Sequence, residues 1–384
     1  MPIRNRIAEL HDEITEWRHD LHAHPELQFD VHRTAGVVAE KLKAFGCDEV
    51  VEGIAKTGVV GVIRGKAAGR CVGLRADMDA LPILEATGLP YASTEPGKMH
   101  ACGHDGHTSM LLGAAKYLAE TRNFAGTVVV IFQPAEEGGG GGRVMCEEGM
   151  MVRFGIDEVY GMHNWPSLPV GQFMIKSGPF FAGTAEFTIV VKGRGGHAAQ
   201  PHLAIDPTVA AAQMVTALQT IASRTVNPVS QIVVSVTSFV TASTAYNVIP
   251  PTVELRGTVR TLTTDIQDLA EVRLTEIAEH TARAHGCEAE IAFERNYPVM
   301  ANNEAETDYA IAAAEKVNGE CHPAPFIMGG EDFSYMLNER PGAYILLGNG
   351  DGADVHTPDY NFNDDAIPFG CSWFIEVVES RLAV

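Results

Sequence analysis

The sequence predicts an α/β protein in which a mostly parallel sheet, with helices on both faces, carries a smaller inserted ferredoxin-like domain. Three observations predict this class. Apolar, β-branched runs alternate with segments of helical periodicity in the first part of the chain, as in parallel βαβ units. The order then changes to β-α-β-β-α-β, and the alternation resumes afterwards. We therefore expect a discontinuous large domain over 1–180 and 294–384 and a small domain over 181–293.

The elements of the large domain follow from local residue patterns. Apolar residues recur at helical spacing in the helices, and Gly46 provides a stop for the second of them. Continuous apolar runs such as GTVVVIF are typical of strands that are buried on both faces of a sheet. The predicted helices are Leu10–Leu21, Thr34–Phe45, Thr108–Ala119, Ala305–Val317 and Ile367–Leu382. The predicted strands are Thr57–Ile63, Arg70–Leu74, Gly126–Phe132, Glu158–Met162 and Ala343–Leu347.

The small domain is predicted from four strand-like runs and two helices. Asp206 and Pro207 begin its first helix as an N-cap and a first-turn proline, and this helix extends to about Ser223. The second helix spans Thr264–His285 and ends at Gly286. The strands are Ala185–Val191, Gln231–Val240, Thr252–Leu262 and Glu288–Glu294.

Charge and composition exclude several classes of partner. The chain of 384 residues has 28 Lys and Arg against 49 Asp and Glu, a formal net charge of −21 that repels nucleic acid and anionic membranes. No apolar run approaches the roughly 20 residues that span a bilayer. The segment Met1–Asp20 lacks an apolar signal core, and the seven scattered cysteines do not resemble a disulfide framework. We therefore expect a cytoplasmic protein without nucleic-acid or membrane partners.

The segment MHACGHDGH places many potential metal ligands within a few positions of each other. Its candidates are His100, Cys102, His104, Asp105 and His107. Thiolate and imidazole groups both bind divalent transition metals, so the density predicts a metal site. The alternative is a histidine-rich turn without metal.

Two adjacent acids, Glu136 and Glu137, come directly after the strand GTVVVIF. A metal hydrolase needs one carboxylate that holds metal and another that accepts a proton from water, and adjacent acids can divide these roles. The alternative is a solvated acidic turn before the glycine run that follows.

Further candidate ligands lie just past other predicted strands. His163 follows one strand and His356 follows another, while Asp77 and Asp79 come after a third. Because parallel strands bring their carboxyl ends to one edge of a sheet, these side chains are expected to share one site. The two aspartates could bind metal, orient a ligating histidine, or simply stabilise a turn.

In the small domain, the segment GRGGHAA contains His197 among flexible glycines. A phosphate-binding loop is disfavoured because no helix with a Lys-Ser/Thr start follows. His197 could instead polarise a substrate carbonyl, or it could be a surface histidine in a glycine turn.

Taken together, the motifs resemble the aminoacylase and carboxypeptidase group of dinuclear metallohydrolases, and within it hippurate hydrolases and auxin-conjugate amidohydrolases. The matching segments cover nearly the whole chain and are RADMDALP, MHACGHDGH, FQPAEEGGGG, GMHNWP, GRGGHAAQPH, YNVIPP, GGEDF and HTPDYNF.

The resemblance implies roles for single residues. Glu136 matches the general base, and His197 matches a histidine that stabilises the oxyanion, often across a dimer. Asn247 matches a substrate-binding asparagine, and Arg260 stands where an arginine grips the substrate carboxylate, as a guanidinium does well. The residues that match the ligands of two metal ions are Cys102, His104, Glu137, His163 and His356.

The chain departs from the wider family at one position. The peptidase branches have His-x-Asp where this sequence has Asp77-Met78-Asp79. Cys102 and His104 take the place of those ligands, so Asp77 and Asp79 are left out of the predicted ligand set.

The implied activity is hydrolysis of the amide bond of an N-acyl amino acid by a homo-oligomer, a dimer or a tetramer. Two divalent ions are implied, and the mixed donors suit zinc, manganese, nickel or cobalt. Two alternatives stay open: a metallo-carboxypeptidase or dipeptidase, and a catalytically silent relative that binds small ligands.

Overall fold

Strands and helices are distributed along residues 5–384, the part of the chain that this computed structural model describes. The strands are Glu49–Ile54 (β1), Gly58–Arg64 (β2), Ala67–Asp77 (β3), Ala125–Gln133 (β4), Glu158–Pro166 (β5), Phe173–Ile175 (β6), Gly178–Phe181 (β7), Gly183–Lys192 (β8), Gly196–His197 (β9), Ile232–Thr241 (β10), Val248–Ile249 (β11), Thr252–Thr261 (β12), Glu288–Arg295 (β13), Met300–Asn302 (β14), His322–Pro323 (β15) and Gly342–Gly350 (β16). The α-helices are Asn5–Ala23 (α1), His32–Phe45 (α2), His104–Thr121 (α3), Gly141–Glu147 (α4), Met150–Arg153 (α5), Pro207–Leu218 (α6), Thr264–Ala284 (α7), Glu304–Asn318 (α8), Phe333–Glu339 (α9) and Ile367–Arg381 (α10).

The chain divides into two compact units. The larger unit runs to Gly178 and continues over Ala301–Pro325 and Asp332–Val384. The smaller unit comprises Pro179–Met300 and Phe326–Glu331.

The larger unit is built on an eight-stranded sheet with the order β1-β2-β4-β3-β5-β16-β6-β15. Its four central strands, β4, β3, β5 and β16, are parallel. Antiparallel pairs join β1 to β2, β2 to β4 and β6 to β16. The carboxyl ends of the four central strands therefore lie at one edge of the sheet.

Helices cover both faces of this sheet. Successive side chains of a strand point to opposite faces, so strands that are apolar throughout need packing partners on both sides. Ile345 and Leu347 of β16 belong to a core cluster with Met110 of α3 and Trp373 of α10. Tyr344, the residue before Ile345, has its ring centroid 5.1 Å from that of Phe333 in α9.

The smaller unit is an antiparallel sheet with the order β10-β12-β8-β13 and the two helices α6 and α7. The Asp206 side chain accepts a hydrogen bond from the Thr208 backbone nitrogen at 2.8 Å, which is the expected N-cap. Phe187, Met214 and Leu274 are buried in its separate core. This arrangement and the large parallel sheet confirm the predicted fold class.

The local differences from prediction have simple causes. Strand β1 was not predicted because its two glutamates, Glu49 and Glu52, interrupt the apolar pattern of an edge strand. Helix α3 begins at His104, four residues before the predicted start, and Gly103 is its N-cap with φ 87°. The histidine-rich segment thus supplies the first turn of a helix. Within residues 5–384, no helix has both the length and the apolar character that a membrane span needs.

Candidate metal centre

The five predicted metal ligands meet at the carboxyl edge of the central sheet in the larger unit. Overlapping groups of donor atoms lie within 4.8 Å of one another: Cys102 with His104 and His163, and Cys102 with Glu137 and His356. His104 also groups with Glu136 and Glu137 in this way. The sheet therefore brings together side chains from four segments that are far apart in sequence.

Two of the histidines have one ring nitrogen fixed by a backbone carbonyl. His104 Nδ1 lies 2.7 Å from the Asp79 carbonyl oxygen, and His163 Nδ1 lies 2.6 Å from that of Asn164. A carbonyl oxygen can only accept, so each Nδ1 carries a proton and each Nε2 can offer a lone pair. His104 Nε2 is buried without a hydrogen-bond partner in residues 5–384, and His163 Nε2 lies 3.4 Å from Cys102 Sγ. Both rings are oriented as metal-ligating imidazoles are.

The electrostatics of this cluster favour a cation. Burial, together with the Glu137 and Glu136 carboxylates, raises the pKa of the Cys102 thiol well above its ordinary value. Burial lowers the pKa of His104, but Asp77 and Asp79 outweigh it and raise that pKa to about 10. A buried thiol among carboxylates, beside an imidazole that favours positive charge, is stabilised by a divalent ion. The donor set therefore fits the two metal ions implied by the sequence.

A tight loop presents Glu136 and Glu137. The Asp79 carboxylate accepts hydrogen bonds from the backbone nitrogens of Glu136 at 2.9 Å and Glu137 at 3.1 Å. Ala135 has a left-handed backbone with φ 55°, a conformation that costs free energy and is concentrated at functional sites. A Cβ at Gly141 would lie 1.7 Å from the Pro134 carbonyl oxygen, so the loop closes only around glycine.

His356 lies on the loop after β16 and is tied to the cysteine segment. Its backbone nitrogen donates to the Ala101 carbonyl oxygen at 2.7 Å. Its Nε2 is 3.1 Å from Glu137 Oε1, and its side chain is 51% exposed. The residue is left-handed, with φ 63°. The most exposed predicted ligand is thus positioned by its backbone.

The contacts of Asp77 and Asp79 support leaving them out of the ligand set. Asp77 accepts from His107 Nδ1 at 2.6 Å with one oxygen and from Arg75 at 2.8 Å with the other. His107 Nε2 accepts from the Asn164 backbone nitrogen at 2.9 Å, so both of its ring nitrogens are in use. Potential ligand atoms of Asp77, His104 and His107 also lie within 4.8 Å of one another. The hydrogen bonds of Asp77 and His107 occupy some of the lone pairs that a metal would need. Asp77 and His107 thus already have Arg75, Asn164 and each other as hydrogen-bond partners.

Sequence reasoning missed the buried polar groups behind the centre. Arg75 donates to Gln133 Oε1 and Asp332 Oδ1, both at 2.9 Å, and is fully buried. Gln133 Nε2 and the Gly142 backbone nitrogen also donate to Asp332, at 2.8 Å each. The signal was present, since a charged residue within the apolar strand β3 requires a buried partner.

A second buried network lies at the start of α3. Arg18 donates to Asp105 at 3.2 Å, and His22 Nδ1 lies 2.9 Å from the same carboxylate. His22 Nε2 is 3.3 Å from Glu85. Burial lowers the pKa of His22, but the hydrogen bonds to Asp105 and Glu85 outweigh it and raise the pKa to about 9. His100 differs: burial lowers its pKa to about 3.

Replacing His22 with glutamine is expected to reduce stability most at acidic to neutral pH. The folded-state pKa of about 9 lies above the unfolded value of about 6.5, so protonated His22 stabilises the fold fully below pH 6.5. This contribution, at most about 3 kcal/mol, is lost as pH rises through 9. Thermal midpoints of parent and variant from pH 6 to pH 10 measure it.

The matched control is His24→Gln, at the same end of α1. His24 is 39% exposed, and its Nδ1 bonds the Asp20 carbonyl oxygen. We expect only a small change in the thermal midpoint for this exposed residue. A His22→Gln deficit that stays constant between pH 6 and pH 10 would contradict the role of the histidinium.

The other three predicted site residues belong to the smaller unit. His197 and Asn247 are neighbours: His197 in β9 pairs with Val248 in β11, and the Ala198 backbone nitrogen donates to the Asn247 carbonyl oxygen at 2.9 Å. Arg260 lies elsewhere, on β12, half-buried and opposite Thr184 of β8.

Comparison with known proteins decides the family. The model of peptidase family M20/M25/M40 matches residues 73–380. The chain belongs to this family. The family predicted from the motifs is therefore confirmed, and with it the prediction of a hydrolase.

Relatives within the M20 family cover almost the whole chain. Hippurate hydrolase of Campylobacter jejuni is 42% identical over 375 residues, which are 97% of each chain. N-acetyl-L-cysteine deacetylase of Bacillus subtilis is 39% identical over 98% of this chain and 89% of that protein. Thermostable carboxypeptidase 1 of Saccharolobus solfataricus is 39% identical over 90% of this chain and 88% of that protein.

A solved M20 structure has the same fold. A dinuclear metal binding peptidase of Bacillus subtilis superposes with a TM-score of 0.86 at 35% identity, covering 98% of this chain and 99% of that chain. The segment matched by the M20 model contains all five predicted ligands. Arg18 and His22 precede it, whereas their partners Asp105 and Glu85 lie within it.

Proposed function

We propose that this chain is a metal-dependent amidohydrolase that cleaves N-acyl amino acids into a carboxylic acid and a free amino acid. One observation carries the proposal: a thiol, three imidazoles and a carboxylate converge at one sheet edge, with a second carboxylate, Glu136, beside them. The names of the relatives support this substrate class, since hippurate and N-acetylcysteine are both N-acyl amino acids.

Two divalent cations would be held by Cys102, His104, Glu137, His163 and His356. When bound, they supply an acidified water and polarise the amide carbonyl. Sulfur, nitrogen and oxygen donors accept zinc, manganese, nickel or cobalt, and availability selects among these.

Glu136 would transfer the proton between the attacking water and the leaving amine. Glu136 is held by its backbone hydrogen bond to Asp79, and its carboxylate would accept a proton from the attacking water. The same carboxylate returns that proton to the leaving amine nitrogen. The carbonyls that accept the Nδ1 protons of His104 and His163 keep both rings oriented during this exchange.

The smaller unit is proposed to serve substrate binding and assembly. His197 would stabilise the developing oxyanion from a second copy of the chain, and Asn247 would bind substrate. Arg260 would pair with the substrate carboxylate. A homodimer or homotetramer and a cytoplasmic location are part of the same proposal.

Metal removal and a substrate screen test the function. The chain is stripped with a chelator, reloaded with each of the four metals, and assayed for amine release from hippurate, N-acetylcysteine and other N-acyl amino acids. We expect no release from stripped protein and recovery that saturates at two equivalents of metal. Failure of every reloaded sample to hydrolyse any N-acyl amino acid would refute the proposal.

A carboxypeptidase activity is the second candidate, favoured by the 39% identity to thermostable carboxypeptidase 1. Both activities use the same site, so the ratio of rates separates them. Release of amino acid from dipeptides much faster than from hippurate would favour the peptidase.

A further inference from the structure

Asn164 directly follows the predicted ligand His163 at the end of β5 and is fully buried. We propose that Asn164, held by Tyr360, is a positioning residue that sets how Cys102 and His163 present their donor atoms to metal. The inference rests on the metal centre of the proposed function.

The side chain of Asn164 is fully engaged. Its Nδ2 donates to the Cys102 carbonyl oxygen at 2.6 Å and lies 3.1 Å from His107 Nε2. Its Oδ1 accepts from the Tyr360 hydroxyl at 2.7 Å. An amide is the side chain that donates and accepts at once, so both partners depend on it.

The backbone of Asn164 acts on the other ligand. Its nitrogen donates to His107 Nε2 at 2.9 Å, and its carbonyl oxygen accepts from His163 Nδ1 at 2.6 Å. Movement of this peptide would break the hydrogen bond that His163 Nδ1 donates and turn the imidazole away from Cys102 Sγ, which is 3.4 Å from His163 Nε2. One residue thus orients a thiol and an imidazole together.

Close packing prevents the cysteine loop from adjusting on its own. A Cβ on Gly103 would lie 2.3 Å from Asn164 Nδ2 and 2.5 Å from the Tyr360 hydroxyl. Tyr360 is fully buried and stands four residues after His356. The hydrogen bonds of Asn164 and Tyr360 therefore connect the segments that carry Cys102, His163 and His356.

Loss of such outer contacts typically weakens metal binding by about 10–100-fold. Asn164→Leu removes the amide at nearly constant shape, and Tyr360→Phe removes only the hydroxyl. Zn²⁺ and Co²⁺ dissociation constants are measured by chelator competition, and the thiolate-to-cobalt absorption band reports how Cys102 is oriented. We expect weaker binding and a smaller or shifted band in both variants.

Tyr160→Phe is the matched control. Tyr160 is a fully buried tyrosine in the same strand as Asn164, and within residues 5–384 its hydroxyl makes no hydrogen bond to Asn164. We expect parental affinity and an unchanged band. If Tyr360 acts through Asn164, adding Tyr360→Phe to Asn164→Leu should cause no further loss of affinity.

Parental affinity and an unchanged band in both variants would overturn the inference while the proposed function stands. Independent, additive losses would show that Tyr360 does not act through Asn164, which also overturns it. A parent that binds neither Zn²⁺ nor Co²⁺ would overturn the proposed function and this inference together. If Asn164→Leu does not fold, the milder Tyr360→Phe decides alone.

Discussion

Replacing Glu136 with glutamine is expected to lower kcat for an N-acyl amino acid by about 10²–10⁴-fold, the range for loss of a general base. Glutamine keeps the size of the side chain and the backbone hydrogen bond to Asp79, so the loop should stay in place. It cannot accept the proton that the attacking water must lose. Steady-state rates at matched metal content measure the effect.

Glu147→Gln provides the control. This glutamate lies in α4, close in sequence to the site loop, and its side chain is 66% exposed beside Arg143. We expect the parental rate and metal content. A Glu136→Gln enzyme that retains the parental rate would place the base elsewhere, and one that loses its metal would show that Glu136 serves binding.

The largest loss of stability is expected from Arg75→Met. Arg75 is fully buried and pairs with Asp77 at 2.8 Å and Asp332 at 2.9 Å. Methionine preserves much of the length but leaves both carboxylates buried without their cation. Breaking a buried ion pair in this way costs about 3–5 kcal/mol. The urea midpoint of unfolding, followed by circular dichroism, reports the loss.

Arg256→Met is the control. It tests whether loss of an exposed arginine in a strand destabilises the protein as much as loss of Arg75. Arg256 lies on β12, 64% exposed, with Glu254 as its surface partner at 2.7 Å. An exposed pair contributes roughly 0–1 kcal/mol, so the midpoint should barely move. Equal shifts of the urea midpoint in the two variants would mean that the buried ion pairs of Arg75 add no more stability than an exposed pair.

Local patterns were sufficient for the architecture and for the list of candidate ligands. The apolar run GTVVVIF is a buried strand whatever surrounds it, and Gly46, with φ 82°, ends α2 because glycine adopts the left-handed cap easily. Glu137, His163 and His356 could be placed at one site because parallel strands bring their carboxyl ends to one edge. Assignment of their roles still drew on the resemblance to a known family.

Only the tertiary structure decided what orients those ligands. The bonds Arg75–Asp332 and Asn164–Tyr360 join residues 257 and 196 positions apart. The periodicity of a sequence does not predict which buried amide forms a hydrogen bond with which hydroxyl, because this pairing depends on how the elements pack. The same holds for the protonated ring nitrogen of His104. The Asp79 carbonyl, 25 positions earlier in the chain, determines which nitrogen this is. The sequence by itself determined which chemical groups reach the sheet edge, while packing decided their direction and their charge.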